Sequence, residues 1–298
     1  MNRTGAELDP GDGIAVVDKE AGWTSHDVVA RARKILGTRK VGHAGTLDPD
    51  ATGVLVLGVG RGTRLLRFIG ELSKNYQGVV VLGVETSTLD ATGEIVATQD
   101  MSQVTLGDVR RVAARLVGNI EQTPPMVSAV KVGGRRLYEL ARRGEEVERK
   151  PRQVTVHRLD VEATADPMRY RIAVECSSGT YVRSIAADIG HGLGGLAHLT
   201  DLRRTAIGPF EAKGASNVED LRLLPPSAAV GHLASVTVPD EVAQRVVHGA
   251  VLGRTGSRFA GDGPWAVLAE DGCLLAVYEA VDSTTAKPAV VVSGATSG

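Results

Sequence analysis

Apolar residues in this chain fall into many short runs, separated by Gly, Asp and Thr rather than by long polar stretches. That spacing predicts numerous strands and tight turns with a few helices between them. Residues 13–18 read as a strand. Residues 25–36 read as an amphipathic helix: Ser25 is the expected N-cap, Val28, Val29, Ala32 and Leu36 share one face, and Gly37 is the stop. Residues 54–59 and 79–84 are continuously apolar and read as buried strands. Residues 103–117 form a second helical pattern with Val109, Val112, Leu116 and Val117 turned inward. From Arg169 to Cys176 the pattern alternates, placing Tyr170, Ile172, Val174 and Cys176 on one face of a half-buried strand. Ser177-Ser-Gly-Thr180 then turns the chain into a helical segment over 181–191.

The pattern breaks near 223–227 and restarts as a strand at 236–238 and a short helix at 240–248. Further on, 265–269 and 273–278 flank Glu270-Asp271-Gly272, a hairpin turn. These elements predict an α+β chain with a domain boundary between about 225 and 236. A main domain over 13–230 precedes a small β-rich module over 235–292, with a flexible lead-in at 1–12 and a flexible tail at 293–298.

Composition narrows the class. The chain has 298 residues, 43% of them hydrophobic, ample for a full core. No apolar run reaches 18 residues, and the polar N-terminus lacks the apolar segment of a signal peptide, so neither a membrane span nor export is expected. Cys176 and Cys273 lie far apart and form neither a metal cluster nor a disulfide framework, which makes a cytoplasmic protein the default. No GxxxxGK[ST] string is present, and no nucleotide cofactor and no metal are expected. Net charge is −1, but residues 131–152 carry eight basic side chains, Lys131 and Arg152 among them, against four glutamates. This arm reads either as a solvated face of mixed charge or as a contact for nucleic-acid phosphates.

The candidate chemistry centres on His43-Ala-Gly-Thr-Leu-Asp48-Pro-Asp-Ala-Thr-Gly53-Val-Leu55. Pro49 restricts Asp48 to extended backbone and keeps the carboxylate off a helical path. A turn of Gly, Thr and Pro against a rigid apolar run suits a reactive acid, and it equally suits an Asx-turn that only holds the loop. A shorter string, Leu89-Asp90-Ala-Thr-Gly-Glu94, shares much of this composition and reads as a plain hairpin turn.

The longer context resembles the TruB family of tRNA pseudouridine synthases. The Asp48 segment is similar to that family's catalytic block, and five further segments match family motifs in the same order. These are Lys19-Glu-Ala-Gly-Trp-Thr-Ser25, Lys74-Asn-Tyr76, Gln122-Thr-Pro-Pro125 through Lys131 to Tyr138, Ser178-Gly-Thr-Tyr181-Val-Arg183-Ser184, and Leu199-Thr-Asp-Leu202-Arg-Arg204. Glu20 departs from the family, which usually has proline there; the turn loses stiffness but no reactive group.

The resemblance implies an isomerase that converts uridine to pseudouridine at position 55 in the tRNA T loop, needing no cofactor. It implies a mixed, mostly antiparallel sheet in the catalytic domain and a PUA-like C-terminal module that binds RNA. Asp48 maps onto the catalytic aspartate, Arg183 onto its arginine partner, and Tyr76 and Tyr181 onto pocket tyrosines. Tyr76 would stack on the extruded base and assist removal of its C5 proton. Leu202 would line the pocket, and His43 would fill the space the base leaves. Lys19, Lys131 and the arm over 124–152 would hold RNA phosphates. The partner would be the T stem-loop of tRNA, bound by a monomer without any membrane. A guide-dependent subunit of an RNA–protein particle and a tRNA-folding protein independent of catalysis are the competing functions. On this reading Asp90→Asn leaves the chemistry intact.

Overall fold

A computed structural model describes residues 11–126, 131–132, 135–136, 147–254 and 259–292. Most of the expected lead-in, most of the basic arm and the 293–298 tail lie outside the described residues. In chain order, β1 (Gly13–Lys19) precedes α1 (Ser25–Leu36), β2 (Val41–His43) and β3 (Thr52–Val59). Helix α2 (Leu66–Gly70) leads into β4 (Lys74–Leu82), followed by a side hairpin of β5 (Val84–Thr86) and β6 (Ile95–Thr98). Next come α3 (Leu106–Arg115), β7 (Gly118–Gln122), β8 (Lys131–Val132), β9 (Arg135–Arg136), β10 (Arg152–Ala163) and β11 (Arg169–Cys176). Helix α4 (Val182–Gly192), β12 (Ala197–Ile207), β13 (Phe210–Glu211) and β14 (Leu223–Leu224) complete the first part. The remainder holds β15 (Ala234–Thr237), α5 (Asp240–Val247), β16 (Leu252–Gly253), β17 (Trp265–Leu268), β18 (Leu274–Ala280) and β19 (Thr285–Val291).

The large sheet runs β14-β1-β3-β12-β4-β11-β10-β7, with β2 on β3 and β13 on β12. It is the α+β, mostly antiparallel sheet expected. Its one parallel pairing, β12 on β3, joins the two halves, because β12 also runs antiparallel to β4. Helices α3 and α4 cover one face and bury Val80, Ile172, Val174, Ile185, Ile189 and Leu199 together. Helix α1 seals a second core, setting Val28, Val29 and Ala32 against Ala15, Leu55 and Leu57. Strands β1 and β3 are covered on both faces, which is why they read as continuous apolar runs rather than alternating ones.

The second sheet runs β15-β17-β18-β19-β16. It shares a core with the first: Val54, Val56 and Leu65 pack in one cluster with Leu274, Val277 and Val290. Arg61 and Arg64 reinforce the junction by donating to the carbonyls of Val292 (3.2 Å) and Val291 (2.7 Å). Asp12, at the end of the expected flexible lead-in, is also tied down, its carboxylate accepting from the Arg61 backbone N–H at 2.7 Å.

Three local expectations change. Thr24, not Ser25, caps α1: its hydroxyl accepts from the Asp27 N–H while the Asp27 carboxylate accepts from the Thr24 N–H. This reciprocal box satisfies two otherwise orphan donors and leaves Ser25 free for another task. Strand β4 begins at Lys74, well before 79, in an alternating stretch. It stops at Leu82 because Gly83 adopts φ +82°. Helix α3 ends at Arg115, so Val117 is 43% exposed rather than core. Among the described residues no helix is long and apolar enough to cross a membrane.

Candidate active site

Asp48 sits on the connection from β2 to β3, a loop braced both within itself and from neighbouring elements. The Ala44 N–H donates to Val56 O (2.9 Å), and the Ala51 N–H closes a turn on Asp48 O (3.2 Å). Buried Ser25 grips the residue before Asp48 twice, accepting from the Leu47 N–H at 2.9 Å and donating to Leu47 O at 3.2 Å. The residue after Asp48 is gripped as well. Pro49 O accepts from the Gly22 N–H (3.0 Å) and from Lys19 Nζ (2.8 Å). A carboxylate fixed this way keeps its orientation when substrate arrives, which is the purpose of loading function onto a braced loop.

Lys19 corrects an expectation. Its side chain is 1% exposed, and its ammonium donates to Glu20 O (2.9 Å), Trp23 O (2.7 Å) and Pro49 O (2.8 Å). All three hydrogens are committed to backbone carbonyls, so it braces the Asp48 turn and presents nothing to an RNA phosphate. Burial brings its pKa down to about 8. Beside it, the Glu20 carboxylate accepts from Asn217 Nδ2 at 2.9 Å, a tether across the turn where the family's proline ring would otherwise stiffen it.

Gly53 ends the loop at φ +101°, and a Cβ there would lie 2.1 Å from the Arg204 carbonyl oxygen. Both the left-handed backbone and the close approach of β12 exclude a side chain. Gly53→Ala is expected to destabilise the fold by about 3 kcal/mol or more. Urea unfolding measures this directly, and a midpoint unchanged from the parent would contradict the register of β3 on β12.

The loop opens onto a pocket of about 320 Å³ lined by 45–48, Gly70, Lys74, Tyr76, 178–183, Leu202 and Arg204. The volume suits a single base or nucleoside. Arg183, in the first turn of α4, points across it. Its Nε lies 3.0 Å from Asp48 Oδ2, its Nη1 lies 3.4 Å from Asp90 Oδ2, and Nη1 also donates to Thr88 O at 2.9 Å. Only 4% of the Arg183 side chain is accessible, against 41% for Asp48 at the pocket mouth. Recession into the pocket raises the Asp48 carboxyl above the usual aspartate value; Arg183 opposes this, and the Asp90 charge adds to it.

Tyr76 is buried in the wall, and burial pushes its hydroxyl upward in pKa, so it is a neutral phenol at neutral pH. Tyr181 sits at the N-cap of α4, clamped by Gln122: the Tyr181 N–H donates to Gln122 Oε1 (2.9 Å), and Gln122 Nε2 donates to Tyr181 O (3.3 Å). Lys74 forms part of the floor, donating to Gly70 O (2.8 Å) and Leu72 O (2.7 Å), with burial bringing it down to about 8.

The structure therefore brings Asp48, Tyr76, Tyr181, Arg183 and Leu202 into one pocket. His43 stands outside that lining, on β2, with its ring edge-on to His26 at 5.5 Å. Lys131 falls in β8, and its side chain lies outside the described residues. Sequence reasoning missed Asp90. Its turn folds as a hairpin link, as expected, with Oδ1 accepting from Thr88 Oγ1 (2.6 Å), the Thr92 N–H (3.0 Å) and Thr92 Oγ1 (2.6 Å). That leaves Oδ2 aimed at Arg183. A signal was present in the Leu-Asp-Ala-Thr-Gly string, but nothing local says which guanidinium such a carboxylate meets. Among the described residues no group of three or more His, Cys, Asp or Glu is arranged to hold a metal ion.

Comparison with known proteins places these features in a family. Residues 33–182 match the TruB family pseudouridylate synthase N-terminal domain, and residues 183–225 match the tRNA pseudouridylate synthase B C-terminal domain. The tRNA pseudouridine synthase B of Symbiobacterium thermophilum is 50% identical over 246 residues, covering 80% of this chain and 82% of its own. That of Arthrobacter sp. strain FB24 is 44% identical over 295 residues, covering 94% and 96%. A crystal structure of a Cbf5–Nop10–Gar1 complex contains a chain that superposes with a TM-score of 0.71 at 27% identity, over 94% of this chain and 84% of that one.

Proposed function

The chain belongs to the TruB family of pseudouridylate synthases, and from that premise we propose that it is a tRNA pseudouridine synthase acting on uridine 55 of the T loop. The observation that carries this is a single braced carboxylate, Asp48, held by Arg183 over a pocket the size of one nucleoside and walled by Tyr76. The reaction breaks the bond from C1′ to N1, rotates the uracil and forms a bond from C1′ to C5. N1 gains a proton and C5 loses one, so no electrons leave the substrate and no cofactor is required. Whether Asp48 adds to the substrate or balances positive charge at the sugar, it must be ionised. Arg183 supplies that condition by opposing the cost of recession.

A base inside a T loop reaches such a recess only by leaving its stack. Tyr76 then supplies a flat face for it, and its neutral hydroxyl assists loss of the C5 proton by relaying it, giving up its own proton to solvent water as it takes that one. Leu202 and Tyr181 complete the wall. His43 lies on β2 outside the pocket lining, and in this reading it fills the space vacated by the base. The basic arm at 124–152, with Lys131, holds the T stem-loop by its phosphates. Residues 13–230 form the catalytic domain in this reading, and 235–292 form a PUA-like module contacting a second part of the tRNA. The protein works as a cytoplasmic monomer; its two free cysteines suit a reducing compartment.

The test is to incubate purified protein with unmodified tRNA and map every pseudouridine formed. Conversion at position 55 is expected. Product only after a guide RNA is added would favour the guided type, and no product under either condition would overturn the enzyme assignment.

The shared guanidinium changes the expectation for Asp90. Asp90→Asn removes a negative charge that raises the Asp48 pKa and takes away the second carboxylate on Arg183. The acid limb of kcat, where protonation of Asp48 stops the reaction, should move to lower pH. The loop carrying Thr88 loses its charged anchor on Arg183, so kcat at neutral pH should fall about 10- to 100-fold. A pH–rate profile identical to the parent's would show that Asp90 is only a turn residue.

A further inference from the structure

We propose that Arg204 is a positioning residue for Asp48, its guanidinium clamping both ends of the catalytic loop to the central strand and lending the pocket floor a fixed positive charge. The proposal rests on the synthase reading above, since it assigns a role within that reaction. Arg204 lies on β12 at the junction of the two half-sheets, in register with Gly53 of β3 on one side and Tyr76 of β4 on the other. Its side chain turns inward and is 1% exposed. Nε donates to Val54 O at 2.7 Å, Nη1 to Thr46 O at 3.3 Å and Nη2 to Gly45 O at 3.1 Å. The accepting carbonyls lie on the way into the Asp48 loop and on the way out. One planar fork therefore sets the spacing of the loop's two ends.

A buried cation is costly unless compensated, and among the described residues Arg204 forms no ion pair with a carboxylate. Three carbonyl dipoles carry the compensation. An apolar side chain of similar volume would leave those three carbonyls without this donor. What an apolar side chain could not supply is charge at this point. Arg204 acts on both reactive groups, drawing the Asp48 carboxyl and the Tyr76 hydroxyl downward in pKa against the burial that raises them. Nor is lysine equivalent: a single ammonium is a point charge on a flexible stem and cannot span three carbonyls in one plane.

Two variants separate geometry from charge. R204K keeps the charge and loses the fork; R204M loses both. Pseudouridine formation on unmodified tRNA is followed under single-turnover conditions across pH, alongside tRNA affinity and thermal unfolding. R204K is expected to lower the rate about 10- to 100-fold with its acid limb at the parent's pH. R204M should fall further, with the acid limb displaced to higher pH because Asp48 protonates more readily. Affinity for tRNA should stay within about threefold in both, since neither variant touches a phosphate. Parent-like rates in R204K would overturn the proposal, as would equal losses in both variants with unmoved acid limbs. If R204M does not fold, R204K alone decides, by whether its rate falls while affinity and melting temperature hold. A parent protein that forms no pseudouridine would instead refute the synthase reading, so the two failures are distinguishable.

Discussion

Asparagine in place of Asp48 is expected to leave a folded protein that binds tRNA normally and forms pseudouridine on the order of 10⁴-fold more slowly, or not at all. Asparagine has nearly the same shape, and its Oδ1 can still accept from Arg183 Nε, which now lies 3.0 Å from the carboxylate. The bracing of the loop does not depend on the side-chain charge: Ser25 holds Leu47, and Lys19 holds Pro49 O, through backbone atoms. What disappears is the negative oxygen that can bond to the substrate or face a developing cation. Binding and chemistry should therefore separate cleanly. Filter binding and single-turnover assays on the same preparation measure both, and a substantial residual rate would remove Asp48 from the reaction.

Arg183→Met is expected to cost about 10³-fold in kcat and to move the acid limb to higher pH. Arg183 is the cation on which Asp48, Asp90 and the Thr88 carbonyl converge. Without it, two carboxylates share a recess in which desolvation and mutual repulsion both raise the Asp48 pKa, so the protonated, unreactive form gains ground. Adding Asp90→Asn to this variant removes the repulsion and should bring the acid limb part of the way back. That partial reversal distinguishes an electrostatic role for Arg183 from simple damage to α4. Absence of any shift in either variant would mean that Asp48 ionisation does not limit the reaction.

Much of the scaffold was legible because local rules and global packing agree. Val28, Val29 and Ala32 repeat at helical spacing and are the buried face of α1. Tyr170, Ile172, Val174 and Cys176 alternate and are the buried face of β11. The expected turn at Glu270-Asp271-Gly272 joins β17 to β18, which pair antiparallel. Misreadings arose where neighbouring rules compete. Thr24 and Ser25 are both good caps, and only Asp27, three residues after Thr24, selects between them. Val117 fits the apolar stripe of α3 but lies past the point where the helix stops.

By itself, the sequence determined β1, α1, β3, β11 and α4, and that Asp48 stands in a Pro-restricted turn ahead of β3, because those properties depend on residues within a few positions of one another. Only the tertiary structure decided the company Asp48 keeps. Lys19 looks like a free surface cation in sequence and becomes a buried brace once β1 and the Asp48 loop meet. Asp90 looks like a turn residue and becomes the second carboxylate on Arg183 once the β5–β6 hairpin lies against α4. Arg204 looks like one of two adjacent arginines, and the single parallel pairing of β12 with β3 turns it, rather than Arg203, toward the loop. Ionisation in this pocket is set by through-space charge and by exclusion of water, and neither is a property of any short stretch of chain.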